Sequence, residues 1–141
     1  MNQIKSYLFI FLISFGVAGE IQYQPILLSG LITNPKQEIS GMDLYNDQIM
    51  LLPENLGGFL YMISKDEILN ALEKKDRIPI EPKQPAFHTP DYSKSIRGFE
   101  GLEAIAFNGN NVYITLESKD DETMRGYLAW GTIDPTTKEV T

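Results

Sequence analysis

The chain has 141 residues, 43% of them hydrophobic, and no low-complexity tract, which predicts one packed domain and excludes intrinsic disorder. Twelve basic against nineteen acidic residues give a net charge of −7; that sign opposes nucleic-acid phosphates and anionic membranes, and no basic patch with interleaved aromatics offsets it. With no cysteine, a disulfide framework and lipoprotein anchoring are both excluded, so the fold rests on its own core or on a metal.

Residues 1–19, MNQIKSYLFIFLISFGVAG, place one lysine before an apolar run at 7–17 and small residues at Ala18 and Gly19. The run falls short of the roughly 20 apolar residues of a membrane span and has the order of a secretory signal. Cleavage is expected before Glu20, which assigns residues 20–141 to a secreted or periplasmic protein. The alternative is an uncleaved membrane anchor.

After the signal, IQYQPILLSG reads as a first strand ending at Ser29-Gly30, with the turn-prone TNPKQ behind it. Ile39 to Tyr45 and Gln48 to Pro53 are strand-like, and Asn46-Asp47 between them suits a two-residue hairpin turn. GGFLYMIS supplies a third strand over 59–64. In KDEILNALEKKD, Ile68, Leu69 and Leu72 recur at helical spacing, and Ser64 with Glu67 three residues on forms the signature of a capped helix start. The proline-rich RIPIEPKQPAFHTPDYSKSIRGF predicts an edge strand over 78–81 and then a long loop.

GLEAIAFNGNNVYITLES, residues 101–118, sets two β-branched and aromatic runs on either side of Asn-Gly-Asn-Asn, the pattern of a β-hairpin. The loop length is open, and with it whether Glu103 and Glu117 share a face. A charged loop, KDDETMR, leads to a strand over 127–133. DPTTKEVT then makes a turn and begins a further strand.

The two halves repeat. SGMDLYNDQIMLLPEN matches GLEAIAFNGNNVYITLES, with Gly41 against Gly101, Ile49 against Val112 and Glu54 against Glu117, an offset of about 60 residues. Each unit is a strand, tight turn, strand, loop, strand and fourth strand. The predicted fold is therefore all-β with one short helix, built of antiparallel four-stranded blade-like meanders, a partial β-propeller of about two blades. Two meanders of an antiparallel sandwich or barrel are the alternative. AIAF, VYITL, QIMLL and FLYMI are apolar on both faces, as in sheets covered on both sides. A propeller ring needs about four to eight blades, so the chain is expected to be the N-terminal part of a longer protein. Alone it would expose an apolar face and unpaired edges, which favours assembly.

EGLEAIAF followed by VYITLES, and ISGMDLYNDQIMLLPEN before them, resemble segments of the esterase-like-activity-of-phytase family and the related SdiA-regulated calcium-dependent propellers. The resemblance covers about residues 39–133. It implies a secreted or periplasmic propeller of about six blades with calcium in or near its central channel. Glu103 stands at the family glutamate, with Ala104 where glycine is usual. Glu117 stands at the acid that closes the hairpin, with Ser118 where a second acid is common, and Glu54 is its counterpart in the first unit.

Calcium takes six to eight oxygen ligands, and Glu54, Asn55, Glu103 and Glu117 are the oxygen donors at strand ends that suit it. The alternative is that these glutamates pair with Arg97 or Arg125, or face water. His88, the only histidine, sits in a proline-rich loop, where a structural or exposed role is expected rather than a general base. No Gly-x-Ser-x-Gly elbow, His-Glu-x-x-His or phosphate-cradling loop is present. Two classes of function remain. One is a secreted propeller that binds a small molecule or a protein, with calcium structural. The other is a calcium-dependent hydrolase of phosphoesterase, esterase or lactonase type, its metal polarising substrate and activating water. Neither a nucleic acid nor, after signal cleavage, a membrane is an expected partner.

Overall fold

Asn46 adopts a φ of 53°, a left-handed conformation that asparagine tolerates, and so closes the first hairpin with Asp47 as its second turn residue. The hairpin joins β1 (Ile39–Tyr45) to β2 (Gln48–Pro53), with Tyr45 opposite Gln48. The computed structural model describes residues 24–54, 58–74 and 78–141. The signal expected at 1–19, and Asn55, lie outside the described residues.

The other edge of β2 takes β4 (Tyr61–Ser64), giving the order β1-β2-β4, while β3 (Gly58–Phe59) pairs with β5 (Ala86–Phe87). Leu60 N–H donates to Pro85 O, and Met62 and Lys83 exchange two backbone bonds. Thus 58–64 runs as one extended line with 83–87 beside it, and the first meander has a fourth member. That member lies inside the proline-rich stretch expected to be loop. Pro85 fits because only its carbonyl is needed there. The strand expected at 78–81 is instead a single parallel bridge from Ile80 to Leu28, and the expected first strand reduces to that bridge before a 3-10 turn, Gly30–Thr33.

Ser64 starts α1 (Lys65–Glu73) with a complete capping box: its hydroxyl accepts from Glu67 N–H, and the Glu67 carboxylate accepts from Ser64 N–H. Ile68 packs onto the sheet, whereas Leu69 is exposed. Among the described residues no helix is long and apolar enough to cross a membrane.

The second meander is β6 (Phe99–Asn108), β7 (Asn111–Asp120) and β8 (Thr123–Thr132), in that order. Asn108 lies opposite Asn111, so Gly109-Asn110 form a two-residue turn. β8 begins at Thr123, inside the stretch expected to be a charged loop, because Asp121, at φ 55°, turns the chain at once. Its fourth member is the expected strand start: Ile133 pairs with Val140, and Thr132 exchanges two backbone bonds with Thr141. Asp134 caps the intervening turn by accepting from Thr136 and Thr137 N–H. Val140 also bridges Phe87 in parallel, which joins the two meanders at their fourth members.

Both meanders contribute to one interior: Met50, Leu52 and Leu60 meet Ile105, Val112, Ile114 and Leu116 there. Leu51, Tyr61 and Ile63, on the other face of the first meander, pack beneath Ile68, Leu28 and Ile80. β2 is thus covered on both faces, as its unbroken apolar run implies. β7 instead alternates exposed and buried residues, so the second meander is covered on one face only. β1 lies along β6: Ser40 Oγ donates to Leu102 O, and the Asp43 carboxylate accepts from Phe107 N–H at 2.7 Å.

The repeat is visible in the ladders. The register slip between Ile39 and Gly41, opposite Pro53 and Leu52, recurs between Leu102 and Ala104, opposite Leu116 and Thr115. Counted from the two turns, Gln48 corresponds to Asn111 and Glu54 to Glu117, as the repeat implies. Gly41 corresponds to Ala104 rather than Gly101, because the second unit has a further slip at Phe99/Gly101.

Candidate functional site

Glu54 follows directly on β2, its N–H held by Glu38 O at 2.8 Å. Its side chain rests on the bare backbone of Gly101, where an added Cβ would come within 2.5 Å of Glu54 Cγ and 2.9 Å of Oε1. Only glycine permits so close an approach. Gly101 faces Glu117 across the β6–β7 ladder, and Glu103 occupies the slip between Leu102 and Ala104. Three of the four residues predicted from the sequence, Glu54, Glu103 and Glu117, are therefore gathered where the first meander crosses the start of β6. All three are half-buried.

Their charges act on one another. Burial raises the Glu54 carboxyl above its ordinary value, and the negative charges of Glu103, Glu38, Glu117 and Glu100 raise it further. Glu38 and Glu100 were not legible as members of this group. Each stands at the start of a meander's first strand, and a count of acids at equivalent strand starts is the signal that points to them.

No basic side chain neutralises the three glutamates among the described residues. Arg97 and Arg125 both turn to Asp120, at 3.2 and 3.7 Å, and Lys94 pairs with Asp91 at 3.1 Å. The pairing with Arg97 or Arg125 weighed from the sequence is thus replaced by a different acid. Among the described residues no three His, Cys, Asp or Glu side chains stand at metal-holding spacing. The carboxylates are near enough for their charges to act on Glu54 but do not form a ligand cage. Hard, anionic, unneutralised oxygens fit calcium in kind and charge, and calcium tolerates irregular geometry completed by water.

Glu54 also lines an open cavity of about 310 Å³, with Thr89, Asp91, Ser93 and Tyr92 on its other side. Asp91 is already engaged: the Ser93 hydroxyl and the Lys94 ammonium hold its carboxyl below the usual range. His88 lies elsewhere. It is exposed, its backbone N–H donates to Val140 O, and it lines a separate cavity of about 70 Å³ with Tyr92 and Trp130, where no described lining side chain is a carboxylate.

Compared with known proteins, the chain matches no family model, no curated protein and no solved structure.

Proposed function

We propose that the chain is part of a secreted or periplasmic β-propeller-type binding protein whose acidic site takes calcium, and whose ligand is a small molecule or a protein. The observation that carries this reading is the seating of Glu54 on Gly101, with Glu103 and Glu117 close by and no cation paired to them among the described residues. Assembling like charges in a half-buried place is unfavourable unless something positive offsets it. Glu54, Glu103 and Glu117 would attract the ion together and hold it in part through water, since they do not stand at direct ligand spacing. The ion would neutralise them and tie the first meander to the second. The two four-membered meanders, with a shared interior and the same slip before Gly41 and Ala104, support a blade-like arrangement. A hydrolytic role has less support, since the only histidine stands at a different cavity from Glu54.

Thermal unfolding with and without calcium tests the reading. Calcium at about a hundred times its dissociation constant is expected to stabilise the fold by about 2.7 kcal/mol, and Glu103→Gln is expected to remove most of that gain. A midpoint indifferent to millimolar calcium overturns the metal site.

A further inference from the structure

The cavity of about 310 Å³ beside Glu54 is walled by the end of the first meander, by the segment 89–93 and by the start of β6. Gly101, on which the Glu54 side chain rests, stands between Phe99 and Leu102, so the carboxylate enters beside an apolar patch. Leu102 is buried, and Tyr92 and Phe99 pack against the shared interior. The rings of Tyr92 and Phe99 lie 6.1 Å apart, inclined at 36°.

Charge narrows what fits. No Lys, Arg or His is among the described lining residues. Asp91, the second acid of the lining, is held by Lys94 at 3.1 Å on the exposed rim, which leaves Glu54 as the uncompensated charge. Glu103 and Glu117 are not among the described lining residues, so Glu54 is the member of the acidic group that the cavity reaches. An anion is repelled there. A neutral apolar molecule would strip water from the carboxylate and return nothing to it. A metal ion would use Glu54 but none of Phe99, Tyr92 and Leu102. An ammonium ion on an apolar body uses both halves: its N–H groups donate to the carboxylate, and its charge lies against the negative faces of two aromatic rings. The volume is at the small end for ligand sites, which suits a body of about one ring.

We propose that this cavity binds a small organic ammonium ion with an aromatic or alkyl body, its nitrogen at the Glu54 carboxylate and its body on Phe99, Tyr92 and Leu102. The proposal rests on the reading of the chain as a small-molecule binder, and it is independent of calcium.

Amide chemical-shift titrations of the full chain, in a chelator at pH 7, test this with three probes of one shape: phenethylammonium, the neutral 2-phenylethanol and the anionic phenylacetate. Phenethylammonium is expected to move the amides of Ser93, Phe99 and Leu102 and to bind about tenfold more tightly than the alcohol, with no binding of phenylacetate. Glu54→Gln is expected to erase the preference for the cation and leave the weak affinity for the alcohol unchanged. Tyr92→Leu, which keeps the packing and removes a ring face, is expected to weaken phenethylammonium roughly threefold while the preference over the alcohol survives. The comparison of probes on wild type needs no variant, so it stands even if a variant does not fold. Equal affinity of wild type for phenethylammonium and 2-phenylethanol overturns the proposal. Shifts confined to the amides around Trp130 also overturn it, since they place the ligand in the other cavity. Melting with calcium judges the metal separately: a chain stabilised by calcium but silent to phenethylammonium keeps the acidic metal site and loses this one, and the reverse result does the opposite.

Discussion

The Tyr45 hydroxyl donates to Asn110 Oδ1 at 2.9 Å, tying the end of β1 to the turn of the β6–β7 hairpin. The Tyr45 ring lies 5.3 Å from that of Phe107, and Lys138 Nζ stands 5.4 Å from its centroid. Tyr45→Phe keeps the ring and loses the bond. Urea unfolding should show a loss of about 1 kcal/mol. An unchanged midpoint would mean that water replaces Tyr45 at Asn110 without cost.

Tyr61 predicts the opposite sign. It is fully buried, its hydroxyl has no hydrogen-bond partner among the described residues, and burial raises its phenol above the ordinary value. Tyr61→Phe removes a polar group that gained nothing on folding. The same urea experiment is expected to give a change between zero and about 1 kcal/mol of added stability. A clear loss would contradict the bonding described for Tyr61.

Glu54 sets a pH dependence. Because its folded value lies above the ordinary 4.5, its contribution favours the fold below that value and is lost as pH rises through the raised one. In the absence of calcium, Glu54→Gln should therefore melt higher than wild type at pH 7, the gap closing as pH falls to about 4.5. With calcium present at pH 7 the order should reverse, since the variant has lost a ligand. Melting curves at pH 4 and pH 7 decide it.

Ser64 and Glu67 act in the other direction. The Ser64 hydroxyl and N–H hold the Glu67 carboxyl below its ordinary 4.5. The stability this supplies is present above that value and lost as pH falls through the lowered one. Ser64→Ala should cost about 1 kcal/mol at neutral pH. It should also flatten this part of the acid limb, as followed by helix ellipticity during acid titration.

The elements legible in the sequence are those whose signals are local. β1, Asn46-Asp47 and β2 follow from apolar runs and turn chemistry within fifteen residues, and α1 from a cap that spans four. The pairing of 83–87 was hidden because it depends on a distant partner line, 58–64, and its sequence is broken by Pro85, whose carbonyl bonds Leu60 N–H. Likewise Glu54, Glu103 and Glu117 were visible as acids at strand ends. Their meeting was not, because it depends on β1 lying along β6. A Cβ on Gly41 would come within 2.9 Å of Ile105 N, and one on Gly101 would meet Glu54. Two glycines thus set an approach that no spacing in either hairpin encodes.

The bridge from Phe87 to Val140 has a consequence for the order in which the molecule is made. The first meander has all of its strands once Phe87 has been synthesised, yet its outer edge stays unpaired until the second hairpin has folded and Val140 has emerged. Distant pairings of this kind form late. During that interval the amide of His88 and the carbonyl of Ala86 are open to a strand from any neighbouring nascent chain. The amide of Val140, bonded to Ala86 O at 3.0 Å, is accordingly the one whose slow exchange with solvent would mark a finished molecule.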